Sequence, residues 1–342
     1  MFFTASLLFF QIVFVLDMSP IRRLSFRIPI VAIILLATQL LYGQRVDNES
    51  PVKRIHSDGY WRIFYDNDFI GWTDYYYTQG LNVELVKPSF SKNPVNKLFF
   101  PLADWKSKYG LAVDHWGFTP FSIMADSILY GDRPYCGILS LSSFRLSIDD
   151  RKKQQVTTSF TIGLTGPVAG GQPLQSAIHK WMSDPIPQGW KYQIKTDLIL
   201  NYKIGYEKNL LSTNFFVINS NAEVRAGTLH NKLSGGFNFM MGKLNNPFLF
   251  ERNSKWQVYI YGSSVASFIA FDATLQGGLF NDTHPYTLSA KDVKRATLQN
   301  RIGLVLNYKK IYVELGETFL SREFKKGLTH KWGTASIGLS LN

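Results

Sequence analysis

Short segments with a period of two recur from Tyr60 almost to the C-terminus, whereas no uninterrupted apolar stretch after Gln44 is long enough to form a spanning helix. If the chain lives in a membrane it must therefore cross as a closed β-barrel, because hydrocarbon leaves no other way to pair the backbone amides and carbonyls. The first alternating segment, Tyr60–Asn67, puts Tyr60, Arg62, Phe64 and Asp66 on one face and Trp61, Ile63, Tyr65 and Asn67 on the other. The next candidates are Gln79–Lys87, Tyr109–Phe118, Gly137–Ile148, Gln154–Thr165 and Gln193–Tyr206. Plainer ones follow near Asn214–Ala226, Lys232–Met241, Lys255–Thr274, Thr297–Tyr308, Ile311–Leu320 and His330–Leu341. That makes an all-β chain of about 12 strands, an even number as such barrels require. Lys255–Thr274 is too long for a single crossing, so it must bend or protrude.

The front of the chain has a different character. Residues 1–17 are almost wholly apolar, Met18 offers a second start, and Arg22, Arg23 and Arg27 precede the apolar run from Ile28 to Leu41. Basic, apolar and small-residue regions in that order predict a signal segment over residues 1–44, with residues 45–342 forming the barrel domain. A membrane anchor is the alternative, because the two apolar runs together suffice to span a bilayer if translation begins at Met1. Without residues 1–44 the formal charge falls from +12 to +10. On an exported barrel such a basic surface suits the phosphates of anionic lipid rather than nucleic acid. A single cysteine, Cys136, excludes an intrachain disulfide and a multi-cysteine metal site. The 15% aromatic content fits interfacial girdles, although soluble sandwiches share it.

One stretch breaks the β pattern. Gly170 to Met182 predicts a short helix near residues 173–182, with Pro173 in its first turn and Leu174, Ala177, Ile178 and Trp181 at apolar helical spacing. Gln175 and His179, four apart, project from one side of it. The densest polar cluster, Tyr65-Asp66-Asn67-Asp68 followed by Thr73-Asp74 and Tyr77-Thr78-Gln79-Gly80, is by composition ordinary turn chemistry. A histidine on a short helix is likewise, taken alone, more often a satisfied polar residue than a base.

Five blocks read together change that balance. They are Asn67-Asp68 with Thr73-Asp74, Tyr77-Thr78 and Gly80; Thr119-Pro120; Asp132-Arg133-Pro134-Tyr135 with Gly137; Gly166-Pro167 with Gly170, Gln175 and His179; and Gly189-Trp190 with Gln193. In this order they resemble the outer-membrane lipid A 3′-O-deacylase family of the LpxR type, over about a third of the chain. The resemblance implies a 12-stranded barrel that hydrolyses the ester holding the 3′-acyloxyacyl group of lipid A in a calcium-dependent reaction. It implies His179 as the general base and Asn67, Asp68, Thr78 and Gln175 as the polar cluster around ion and ester, with Asp68 on the metal. The expected partners are lipopolysaccharide and outer-membrane lipids, and the expected state is a monomer in the outer membrane of a Gram-negative bacterium. Some members carry a lysine shortly after the Thr-Pro block, where this chain reads Phe121-Ser122-Ile123-Met124-Ala125-Asp126.

The chemistry is coherent in its own terms. Water attacking an ester needs a base near neutrality and positive charge where the oxyanion grows, and a calcium ion on hard oxygens provides the latter without a serine nucleophile. An outer-membrane phospholipase would need a serine paired with histidine, and no His-x-Ser arrangement occurs. A pore or scaffold barrel would carry charges in its lumen without forming a site. Asp132-Arg133 reads as an ion pair or loop anchor, and His115, His230, His284 and His330 show no paired spacing.

Overall fold

The computed structural model describes residues 49–68, 75–102, 104–250 and 255–341. The predicted signal segment and the Thr73-Asp74 pair lie outside the described residues. Twelve strands occur among them: β1 (Tyr60–Asn67), β2 (Tyr76–Val86), β3 (Lys106–Thr119), β4 (Cys136–Asp149), β5 (Gln154–Thr165), β6 (Leu198–Ser212), β7 (Phe216–Gly227), β8 (His230–Lys243), β9 (Trp256–Asp272), β10 (Ala296–Tyr308), β11 (Ile311–Leu320) and β12 (His330–Ser340). Each pairs antiparallel with its neighbours in sequence, and β1 closes the barrel on β12 from Tyr60↔Ser340 to Asn67↔Gly333. Closure removes every sheet edge, which is what a lipid environment demands.

Two helices interrupt the sheet, α1 (Gly171–Met182) and the four-residue α2 (Ala273–Gln276). The segment Lys255–Thr274 resolves into the 17-residue β9 and the start of α2, where the Asp272 side chain accepts from Thr274 N and ends the strand. The strand expected from Gln193 begins instead at Leu198, because residues 189–192 form a 3-10 turn whose Trp190 is wholly buried. Several other strands start two or three residues earlier than their alternation suggested, β2 and β3 among them.

Alternation divides inside from outside. Ile63, Val83, Val113, Leu141, Ile302 and Ile337 are exposed on the outer surface, forming the apolar belt. Inner positions carry Arg62, Glu84, Asp114 and Arg301 on β1, β2, β3 and β10, and Glu314 on β11, all buried. Arg62 Nη2 lies 3.0 Å from both carboxylate oxygens of Glu84. Glu314 accepts from Arg301 (2.8 Å), Lys53 (3.3 Å) and the Tyr312 hydroxyl (3.0 Å), and also from Tyr261. Lys53 belongs to a segment that enters the lumen ahead of β1. Its neighbours are tied to the wall, with Tyr259 Oη donating to Val52 O (2.9 Å), Arg62 Nη1 to Lys53 O (2.8 Å) and Lys108 Nζ to Ser57 O (2.6 Å). At this level side chains and this segment occupy the lumen, where Arg62 pairs with Glu84, and Lys53 and Arg301 with Glu314.

At the rim where Tyr60 pairs with Ser340, several connections are tight, such as residues 150–153, 213–215 and 309–310. The opposite rim carries residues 120–135, 166–197 and 273–295. Short periplasmic turns and long extracellular loops are the rule in outer-membrane barrels, so this second rim faces outward from the cell.

Candidate active site on the outer wall of the barrel

The site grows from the extracellular ends of β1 to β4. A bulge in β2 takes Thr78 out of register, since Tyr77 pairs with Phe118 and Gln79 with Gly117. Bulges of this kind re-aim a side chain. Tyr77 continues inward, donating its hydroxyl proton to Asp66 Oδ2 (3.1 Å), whereas Thr78 Oγ1 accepts from Gln175 Nε2 of α1 (3.1 Å). The Asn67 amide, across the β1–β2 pair, donates to Thr78 O and to Tyr65 Oη, both at 3.1 Å.

α1 is seated on the outside of the wall, not in the lumen. The inner face of β4 carries Cys136, Ile138 and Ser140, and the outer face Gly137, Leu139 and Leu141. A Cβ at Gly137 would stand 3.2 Å from Gly171 N and 3.4 Å from Ala169 Cβ, so the absent side chain is what lets the helix start against the strand. On β3, outward-facing His115 shares a 3.0 Å hydrogen bond with Ala169 O, and Gly166 N donates to Gly137 O (2.9 Å). A Cβ on Gly171 would meet the Trp190 ring at 2.6 Å, so that indole is wedged beneath the first turn. Trp190 Nε1 donates to Gln175 Oε1 (2.7 Å), which completes a chain from Trp190 through Gln175 to Thr78.

The side of α1 applied to the wall consists of Gly171, Gln175 and His179. The apolar set Leu174, Ala177, Ile178 and Trp181, at helical spacing for a buried stripe, is not the buried face; Leu174 and Trp181 are exposed. Polar residues win the buried side because each has a specific partner there. His179 Nδ1 lies 2.8 Å from Pro185 O. A carbonyl only accepts, so Nδ1 carries the proton and Nε2 keeps its lone pair. The helix stop makes this contact: Ser183 adopts the left-handed conformation and Asp184 N donates to His179 O (2.8 Å), which folds Pro185 back over the ring.

Asp68 is buried beside Asn67 at the same rim. Burial, and after it the Asp68 carboxylate, push the Tyr75 phenol above its ordinary range. Thr119 Oγ1, at the top of β3, is a buried oxygen without a hydrogen bond. Among the described residues no three His, Cys, Asp or Glu side chains are grouped so as to hold a metal ion. Asn67, Thr78 and Gln175 are thus brought together by hydrogen bonds, His179 lies one turn further along the same helix face, and Asp68 adjoins Asn67 in the chain.

Asp132-Arg133 belongs to another structure. Arg133 turns into the lumen, 2.5 Å from Glu323 Oε2 and 2.6 Å from Thr274 Oγ1, with its guanidinium over the Phe118 ring at 4.2 Å. It ties together the connections that follow β3, β9 and β11. Asp132 instead accepts from the backbone nitrogens of Phe121 and Arg133, each at 2.8 Å, and burial pushes its carboxyl above the usual range. His115 was given no role by spacing, yet it helps seat α1; a histidine in lipid-facing register two residues after exposed Val113 was its signal.

A closed antiparallel barrel with luminal charges, an apolar belt and a polar cluster on its outer wall is an outer-membrane protein of Gram-negative bacteria. The profile of one family, described as outer membrane protein LpxR, matches residues 30–341, and the chain belongs to that family. Among solved structures, LpxR from Salmonella typhimurium matches with a TM-score of 0.67 at 16% identity, over 82% of this chain and 100% of that one. The β domain of the Bordetella autotransporter BrkA matches with a TM-score of 0.43 at 9% identity, over 83% and 98%. A search of curated proteins finds no significant match.

Proposed function

We propose that this protein is a hydrolase of lipid A that cleaves the ester of the 3′-linked acyloxyacyl chain, with His179 as general base. The observation that carries the reading is the position and tautomer of His179. Its Nδ1 proton is committed to Pro185 O, and the ring sits on the side of the wall that lipid reaches. Family membership supports the same substrate class.

In this mechanism Nε2 of His179 takes a proton from water as the water oxygen bonds to the ester carbonyl carbon. The carbonyl π electrons move onto oxygen. Collapse of the tetrahedral species breaks the bond to the sugar oxygen, which leaves with the proton returned by His179, giving a free 3′-hydroxyl and a released acid. Gln175 and Thr78 hold the cluster in place, and the Asn67 amide fixes the β1 and β2 ends against each other. Calcium would be held by the Asp68 carboxylate together with neutral oxygens such as the amide oxygen of Asn67 beside it in the chain, hard donors of the kind this ion takes. When bound, the ion would supply positive charge where the oxyanion develops.

Residues 1–44 are proposed as the export segment and residues 45–342 as the working domain, acting as a monomer without nucleic acid. The segment around Val52 and Lys53, held across the lumen by Tyr259 and Glu314, argues against an open pore. Mass spectrometry of lipid A incubated with the purified protein tests the reading. Loss of the 3′-acyloxyacyl mass with calcium, and its retention with a chelator, is the expected result. Intact lipid A in both, with a folded barrel, overturns it.

A further inference from the structure

The side of α1 turned away from its partners is divided in two. A helix turns about 100° per residue. On that basis Leu174, Ala177, Ile178 and Trp181 fall on one flank, and Gln172, Ser176 and Lys180 on the other, with the buried strip of Gly171, Gln175 and His179 between them. Trp181 is 83% exposed, and Val168 just before the helix and Ile186 just after it are exposed as well. Such a surface in water would be a liability, and none of the described residues covers it.

We infer that α1 is an interfacial helix whose apolar flank, led by Trp181, enters the acyl region of the outer leaflet while its opposite flank stays in water. Three observations identify the occupant as lipid. The helix lies on the outer wall, against β3 and β4 and hydrogen-bonded to β2 through Gln175. Below its seat at Gly137, the same outward row of β4 continues with Leu139 and Leu141, and β3 contributes Val113, all exposed. The apolar flank is therefore a continuation of the belt that meets hydrocarbon. Finally, an apolar flank that includes a tryptophan, opposite a polar flank that carries Lys180, is the composition by which helices lie in a membrane interface.

The consequence is geometric. A helix half-sunk in the leaflet holds its third, wall-facing side, which carries His179, at the level where acyl chains join their headgroups. The inference rests on the placement of α1 and stands whether or not the proposed hydrolysis is correct.

Site-specific labelling tests it. Cys136 is buried, so a thiol-reactive bimane will report on an introduced cysteine. Trp181→Cys and Lys180→Cys sit side by side in sequence on opposite flanks. Each labelled protein is placed in nanodiscs of phosphatidylcholine with bromine on the acyl chains, and in unbrominated discs with aqueous iodide. The expected result is several-fold stronger quenching of position 181 than of position 180 by brominated chains, and the reverse for iodide. Leu174→Cys should behave like position 181. Equal iodide quenching at positions 174, 180 and 181, with no bromine effect, overturns the inference. Loss of lipid A hydrolysis has no bearing on this readout, so its failure and that of the proposed reaction are separable.

Discussion

The reaction depends most directly on one imidazole, and its orientation depends on a carbonyl six residues away. His179→Ala removes the base while leaving the barrel wall untouched, so activity should fall by roughly 10²- to 10⁴-fold. Release of the acid from lipid A measures the loss, and an unchanged heat-modifiable band on a gel shows that the barrel is intact. Trp190→Phe probes the support beneath. Without the indole N–H, Gln175 Oε1 loses its 2.7 Å donor in a fully buried setting, at a cost of about 1–3 kcal/mol. The expected effect is a lower kcat with the barrel's melting unchanged, because the loss is local to the α1 seat. Gln175 and His179 were legible as a pair because four-residue spacing is a local property of a helix. Trp190 was visible as part of a motif but not as a partner, since its contact crosses a turn and a loop.

Among the elements, α1 is the one whose position the strands decide. Its first turn rests on Gly137, where a Cβ would already approach Gly171 N to 3.2 Å. Gly137→Val should lift the helix from the wall and separate Gln175 from Thr78. Activity should drop at least as far as with Trp190→Phe, with strand content by circular dichroism unchanged. A fully active Gly137→Val protein would mean that α1 does not need this seat. The helix itself was legible from Pro173 and the break in alternation. Its orientation was not legible, because apolar spacing ordinarily marks the buried face of a helix in water. On a barrel's outer wall the logic inverts: polar groups find fixed partners against the rim, and the apolar flank is left for lipid.

For the molecule as a whole, stability inside the barrel rests on paired charge. Glu314 faces Lys53, Arg301 and two tyrosine hydroxyls with both members of its ion pairs almost fully buried. Glu314→Ala leaves two buried cations without their carboxylate, which should cost about 3–5 kcal/mol. Urea unfolding in detergent, followed by tryptophan fluorescence, should show the midpoint move down. An unchanged midpoint would mean that water enters and solvates the lumen. Arg133 has a corresponding part at the extracellular rim, where it joins loops that are far apart in the chain.

The barrel class, its strand number and the short helix were determined by the sequence itself, because period two, the lack of a long apolar run and proline placement are read over neighbouring residues. The segments' approximate order and the wall position of most side chains follow from the same alternation. What only the tertiary structure decided is where the pieces meet. The bulge that frees Thr78, the loop that returns Trp190 beneath Gln175, and the glycine seat that keeps α1 outside the wall all depend on contacts between different elements. Those contacts arise when the sheet closes and its register is set, and no local pattern carries that information.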